Sequence, residues 1–135
     1  MDINDVTDRV LGAAVEVHRR LGPGLLESVC SACLAAEMTN RGLHFQREWA
    51  LPVTYGELRL DCGYRLDFLV EGQVVVELKA EAALQPIDTA QLLTYLRLGG
   101  FPVGLLINFN SPYLGEGAVR RLVNRYQGAK PAEGR

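Results

Sequence analysis

Apolar residues recur with a helical period at the start of the chain. Val6, Val10, Ala13, Ala14, Val17 and Leu21 share one face, so residues 5–20 predict an amphipathic helix. Gly22-Pro23-Gly24 breaks the chain. Leu25, Leu26, Val29, Cys33, Leu34, Ala36 and Met38 predict a second helix over 25–41, ended by Gly42. From Gln46 the period falls to two. Trp49, Leu51, Val53 and Tyr55 alternate with smaller or polar neighbours, and Pro52 predicts an edge strand. Gly56-Glu57 forms a turn, 58–70 a second strand interrupted near Cys62-Gly63, and 73–80 a third. Pro86 opens a helix that runs to 98 and closes at Gly99-Gly100. The apolar run 103–109 suits a strand buried on both faces, and a last helix is predicted over 116–126. The order is α, then α-β-β-β-α-β, then α. It predicts a single α/β domain over 1–127, with helices added before and after the core, and a disordered tail at 128–135.

The hairpin between the second and third strands has two competing registers. A two-residue turn at Glu71-Gly72 would set Val70 opposite Gln73 and Asp67 opposite Val76, mixing polar and apolar groups on both faces. A three-residue loop, Glu71 to Gln73, pairs Val70 with Val74, Phe68 with Val76 and Leu66 with Leu78, leaving one face wholly apolar. Burial selects the second register, because a one-residue slip exchanges every face. That register puts Asp67 across from Glu77 and Arg65 across from Lys79. Like charges so placed destabilise a sheet. Either one carboxyl holds a proton, Arg65 and Lys79 neutralise the pair, or a divalent cation sits between them. A solvated polar face carrying an incidental Asp-Glu-Lys cluster is the plainer alternative.

Composition narrows the class. The chain has 135 residues, 48% hydrophobic and 22% charged, which fits one soluble globular domain. A domain near this size buries about two-thirds of its unfolded surface and needs no staples. No apolar run approaches the roughly 18 residues of a membrane helix, and the first residues lack a basic signal-peptide start. Three cysteines argue against a disulfide scaffold and suit a reducing cytoplasm. The net charge of −2 weighs slightly against a nucleic-acid binder. Twelve of the 14 cations are arginine; the lysines are Lys79 and Lys130. A lysine ending Val74-Val75-Val76-Glu77-Leu78 therefore stands out.

Two carboxylates on adjacent strands, with water and a backbone carbonyl, suit Mg²⁺, which uses few protein ligands. Such an ion polarises a phosphodiester and activates a water, while a nearby lysine orients that water or offsets charge on phosphorus. Asp67 followed by Glu77-Leu78-Lys79 at the end of a hydrophobic strand resembles the PD-(D/E)XK nuclease superfamily, whose restriction endonuclease-like core has the order α-β-β-β-α-β. More narrowly, Leu21-Gly22-Pro23-Gly24-Leu25-Leu26-Glu27-Ser28-Val29, Tyr64-Arg65-Leu66-Asp67-Phe68, Val76-Glu77-Leu78-Lys79 and Gly104-Leu105-Leu106-Ile107-Asn108-Phe109 are similar to the bacterial GxxExxY family, over about Val10 to Val123. The resemblance implies a nuclease using Mg²⁺ or Mn²⁺, with Asp67 and Glu77 as metal ligands and Lys79 and Glu27 completing the catalytic set. It implies that Gln91 and Tyr95, a Gln-x-x-x-Tyr pair on the crossover helix, contact substrate beside Arg65. The implied partner is nucleic acid, DNA before RNA, with a homodimer in keeping with nucleases of this size. One position departs from the family: Cys30 stands where tyrosine is usual, removing a phenol that would sit near Glu27.

Other features have plainer explanations. Glu27 at a helix start also favours the helix dipole. Cys30-Ser31-Ala32-Cys33 lies within a helical pattern, with only Cys62 as a third sulfur, so core packing is expected in place of a zinc or iron–sulfur site. His18 is expected to be a hydrogen-bonded structural residue. No Walker lysine follows Gly22-Pro23-Gly24, and no Gly-x-Ser-x-Gly elbow exists. Arg120, Arg121 and Arg125, with Lys130, Arg135, Arg19 and Arg20, are candidates for phosphate contacts or a solubilising face. A nuclease-derived module that binds nucleic acid or a partner protein without cleaving is the second functional expectation.

Overall fold

The computed structural model describes residues 1–125. Its elements run α1 (Ile3–Leu21), α2 (Glu27–Asn40), β1 (Phe45–Tyr55), β2 (Leu58–Val70), β3 (Val74–Lys79), α3 (Pro86–Gly99), β4 (Val103–Asn108) and β5 (Val119–Val123). The sheet order is β1-β2-β3-β4-β5. β1, β2 and β3 pair antiparallel, α3 crosses over so that β4 runs parallel to β3, and β5 returns antiparallel to β4. Pro52 thus lies on an edge strand, where its missing N–H costs no central ladder bond. The predicted tail 128–135, with Lys130 and Arg135, lies outside the described residues.

Two apolar layers enclose the sheet. On one face Val6, Val10, Ala13, Ala14 and Val17 of α1 and Leu34 and Met38 of α2 pack against Phe68, Val70, Val74, Val76, Leu78, Leu105 and Ile107. On the other, Leu92, Tyr95 and Leu96 of α3 pack against Leu51, Leu66, Leu69, Val75 and Leu106. β3 and β4 are buried on both faces, which is why their apolar runs do not alternate. Cys30 packs inside the first layer with Cys33 against it, as expected of core residues, and all three cysteines are free thiols. His18 is buried and its Nε2 meets the Ser111 carbonyl oxygen at 2.8 Å. Among the described residues no helix is long and apolar enough to cross a membrane.

The C-terminal helix predicted over 116–126 is not formed in its described part, 116–125. The strand β5 occupies that stretch and closes the edge of β4. A fully buried strand such as β4 needs a hydrogen-bonding neighbour on each side, and that tertiary demand overrides local helical spacing. Val119 joins the α1/α2 layer and Leu122 the α3 layer, the alternation of a strand. Arg120 and Arg121 consequently diverge. Arg120 Nη1 donates to Thr89 Oγ1 of α3 at 2.6 Å, and Arg121 Nη2 donates to Asn4 Oδ1 of α1 at 2.8 Å. The continuous basic helix face they would have made does not exist. Arg19 and Arg20 are likewise engaged, both with Glu16.

The β2–β3 hairpin uses the three-residue loop: Val70 pairs with Val74, Leu69 with Val75 and Phe68 with Val76. Pairing ends there. The expected pairs Leu66–Leu78 and Arg65–Lys79 are not made. Leu66 packs in the α3 layer while Leu78 packs in the α1/α2 layer, so β2 changes face across Asp67. β1 changes face beside it. Phe45 packs with the α1/α2 layer and Trp49 with the α3 layer, and between them Glu48 adopts φ 52°, a left-handed conformation. A strand of strict period two cannot exchange faces, so one residue must leave the extended region. Further out, the pairs Leu51–Tyr64 and Val53–Leu60 bracket extra residues on β2 opposite Pro52. This is the interruption expected at Cys62-Gly63. Gly63 is required there, because a Cβ would strike Val53 Cγ2 and lie 2.9 Å from Val53 Cβ.

Candidate active site

Where the β2–β3 ladder stops, two side chains take over the hydrogen bonding. The Asp67 N–H donates to Glu77 Oε2 at 2.8 Å, and the Leu78 N–H donates to Asp67 Oδ2 at 2.8 Å. Each carboxyl thus accepts an amide from the opposite strand, which satisfies backbone groups that the splayed strands leave unpaired. The second oxygen of each accepts no hydrogen bond from the described residues. Glu77 is only 6% exposed, which disposes of a solvated polar face.

The electrostatics follow from that burial. Desolvation, then the neighbouring Asp67 charge, push the Glu77 carboxyl up to about 8, against pulls from the Asp67 amide and Lys79. Asp67 is also raised, first by burial and further by Glu48, while the Leu78 amide and Lys79 oppose the shift. Arg65 takes no part in this balance. It pairs with Ala50 in the β1–β2 ladder, and its Nη1 donates to the Glu48 carbonyl oxygen at 3.2 Å. Of the three ways to relieve the paired carboxyls, neutralisation by Arg65 is therefore not realised. A shared proton and a divalent cation remain, with Lys79 assisting either.

Lys79 ends β3 and is held from α3. Its Nζ lies 3.4 Å from Gln91 Oε1, to which it donates, and 3.9 Å from Asp88 Oδ1. Asp88 also accepts the Gln85 amide through Oδ2 at 2.9 Å, closing a capping box at the start of α3. Although burial acts against it, that amide, Glu81 and Lys79 hold the Asp88 carboxyl below the usual range. Glu81 is raised, first by hydrogen bonding with Asp88 and then by burial. Its Oε1 is buried and has no hydrogen-bond partner among the described residues. Asn108 fixes the strand exit, accepting the Glu81 N–H through Oδ1 and donating from Nδ2 to the Glu81 carbonyl oxygen.

Tyr95, one turn beyond Gln91, is buried, and its phenol is pushed up to about 12, first by burial and then by Glu77, Tyr64 and Asp67. Glu27 opens α2 at the mouth of the site. Its carboxyl is raised by partial burial and by Asp67, with Lys79 pulling the other way. Glu27, Asp67, Glu77, Lys79, Gln91 and Tyr95 are therefore gathered in one place; Arg65 is set apart from them. Glu27, Ser28, Ser31, Arg47, Glu48 and Asp67 surround an open cavity of about 380 Å³ over the carboxylates. Cys30, one turn after Glu27, points its thiol into the core, where burial pushes it up.

Three neighbours were not legible as site residues. Glu48 carries no motif, because its place depends on the face change of β1. Tyr64 reads as an ordinary strand residue until its ring is found 5.0 Å from that of Tyr95. Asp88 has a local signal, Gln85-Pro86-Ile87-Asp88, but only as a helix cap.

The donor set suits a particular kind of ion. No three His, Cys, Asp or Glu side chains among the described residues converge as a metal cage. A buried and a half-buried carboxyl, each with an oxygen to spare and each raised toward protonation (Glu77 by burial and the Asp67 charge, Asp67 by burial and Glu48), instead fit an ion that keeps most of its water, as Mg²⁺ or Mn²⁺ does. Comparison with known proteins agrees with the fold. The family model of the PD-(D/E)XK nuclease superfamily matches residues 4–122. No curated protein and no solved structure matches the chain.

Proposed function

Because the chain belongs to the PD-(D/E)XK nuclease superfamily and has its restriction endonuclease-like α/β fold, we propose that it is a divalent-metal-dependent nuclease hydrolysing phosphodiester bonds. The observation that carries this reading is the reciprocal locking of Asp67 and Glu77. Each is pinned by an amide of the other strand, and both are raised toward protonation beside Lys79. A structural pair would gain stability from apolar replacement, so a site that keeps two adjoining acids, one of them buried, against that cost is suited to receive a cation.

Asp67 and Glu77 would hold Mg²⁺ or Mn²⁺ through their spare oxygens. When bound, the ion supplies Lewis-acid polarisation of the phosphodiester and lowers the pKa of a water. Lys79, steadied by Gln91 and Asp88, orients the attacking water and offsets charge developing on phosphorus. Glu27 lies on the open side, where its raised carboxyl suits exchange of a proton with that water. Tyr95, its phenol pushed up to about 12, keeps its proton and can offer it to substrate as a hydrogen-bond donor. DNA is the first substrate to test and RNA the second.

The test is cleavage of single- and double-stranded DNA and RNA with Mn²⁺ or Mg²⁺, comparing the unaltered chain with Glu77→Ala, Asp67→Ala and Lys79→Ala. Metal-dependent cleavage abolished in each variant is the expected result. Equal cleavage by all four proteins, or none by the unaltered chain on every substrate, overturns the assignment; the latter leaves a nucleic-acid- or protein-binding module in its place.

A further inference from the structure

A second cavity, of about 250 Å³, lies between the outer half of β2 and α3, lined by Tyr64, Ile87, Ala90, Gln91, Thr94 and Tyr95. Among the described residues no charged side chain lines it. Its floor is aromatic: the Tyr64 and Tyr95 rings stand 5.0 Å apart with planes tilted by 50°. Tyr95 is fixed by burial in the α3 layer, whereas Tyr64 is 40% and Ile87 71% exposed. Large apolar groups therefore meet water at a rim whose inner wall is rigid. The remaining wall is Gln91, and Gln91 Oε1 is the acceptor of Lys79 Nζ. The cavity and the carboxylate site thus share a side chain.

The chemistry of this lining excludes one half of a nucleotide and selects the other. A phosphate calls for cations or clustered amide donors, and among the described residues none line the cavity. A flat, weakly polar ring finds what it needs: an aromatic face, an aliphatic edge from Ile87 and Ala90, and edge partners in the Gln91 amide and the Thr94 hydroxyl. A phosphodiester at Asp67 and Glu77 carries such a ring on its own sugar, within reach of the wall that Gln91 shares. We propose that this cavity is a nucleobase subsite, and that the site takes single-stranded or frayed nucleic acid in preference to intact duplex. A base in a duplex is stacked and paired, so it fills the cavity only after being freed, at a cost of a few kcal/mol. The proposal rests on the nuclease reading for the position of the phosphate, and on the lining alone for the chemistry of the cavity.

Fluorescence anisotropy tests it, with Ca²⁺ replacing Mg²⁺ and one fixed salt concentration, because the phosphate contribution varies steeply with salt. The probes are labelled oligothymidylate, the same length of duplex, and a strand built wholly of abasic tetrahydrofuran residues. Oligothymidylate should bind the unaltered chain roughly 5- to 150-fold more tightly than the abasic strand, the range expected of base–aromatic stacking. Tyr64→Leu should lose a like factor on oligothymidylate and none on the abasic strand, while Tyr64→Phe keeps the affinity. Equal binding of oligothymidylate and the abasic strand by the unaltered chain overturns the proposal, as does duplex bound more tightly than single strand. The first comparison needs no variant, so misfolding cannot decide it. Cleavage assays with Mg²⁺ separate the two ideas. Metal-dependent cleavage of the abasic strand at the oligothymidylate rate removes the base subsite and keeps the nuclease. Base-dependent binding with no cleavage of any strand does the reverse.

Discussion

Replacing Glu77 by glutamine should make the protein more stable at alkaline pH and leave it nearly unchanged in acid. The Glu77 carboxyl titrates at about 8 in the folded chain and near 4.5 when unfolded. Between those values the folded protein holds a proton that the unfolded protein has released. Stability therefore falls as pH rises through this window, by about 1.4 kcal/mol per unit for one such group. The full interval gives a ceiling of roughly 5 kcal/mol, and sharing of the proton with Asp67 lowers what Glu77 alone contributes to about 2–4 kcal/mol. Glutamine keeps an oxygen for the Asp67 amide at the same position and cannot ionise. Urea or thermal unfolding of both proteins from pH 5 to pH 8.5 measures the difference directly. Contributions from Glu27 and the other groups whose titration is unchanged by the substitution cancel to first order in the comparison. At pH 8.5 Glu77→Gln should melt on the order of 10 °C above the unaltered chain, and at pH 5 within a few degrees of it. Mn²⁺ should then raise the melting point of the unaltered chain at pH 8.5 but not that of the variant, since the cation takes the place of the missing proton. Stability curves that run parallel across the whole range would refute the reasoning, because Glu77 would have to be ionised throughout.

Glu48→Gly should stay within about 1 kcal/mol of the parent in urea unfolding, since glycine accepts φ 52° freely, whereas Glu48→Val should lose about 1–3 kcal/mol; equal midpoints for the two variants would deny the left-handed backbone at this position. Gly63→Ala should cost about 1–3 kcal/mol, because its Cβ meets the stiff side chain of Val53, and adding Val53→Ala should recover part of that loss in a double-mutant cycle. Arg120→Met should destabilise the chain by about 1 kcal/mol through the lost bond to Thr89 and leave the salt dependence of nucleic-acid binding unchanged, as measured by anisotropy.

Much of the fold can be read from the chain because its layers obey simple periods. The helical face of α1, the edge position of Pro52, the three-residue β2–β3 loop and the break at Gly63 each follow from side-chain spacing or from one residue's conformational freedom. The last strand is hidden because nothing local distinguishes it. Val119 to Val123 suits a helix or a strand equally, and only the bare edge of β4, brought into place by the α3 crossover, decides. The site is legible in the same uneven way. Asp67, Glu77 and Lys79 are found because one register buries apolar residues and so dictates where the acids fall. Glu48 and Asp88 come from other elements and Tyr64 lies beyond the face change of β2, so their approach depends on how the two apolar layers part the strands.

The one failure of the register argument also explains the site. Strict alternation would place Leu66 and Leu78 on one face and set Asp67 and Glu77 side by side on the other, fully paired through the backbone. Instead Leu66 is drawn into the α3 layer and Leu78 into the α1/α2 layer. β2 and β3 cannot remain hydrogen bonded while their side chains part in this way. The ladder ends at Phe68 and Val76, and the backbone groups beyond it need new partners. Asp67 and Glu77 supply them, each with a single oxygen. Opening the sheet thus orients both carboxyls, leaves each an oxygen for a ligand, and frees the outer half of β2 to carry Tyr64 across toward α3. The same divergence of two apolar layers builds the carboxylate pair and the aromatic cavity beside it. A change that restored regular pairing at Asp67 would strengthen the sheet and remove both.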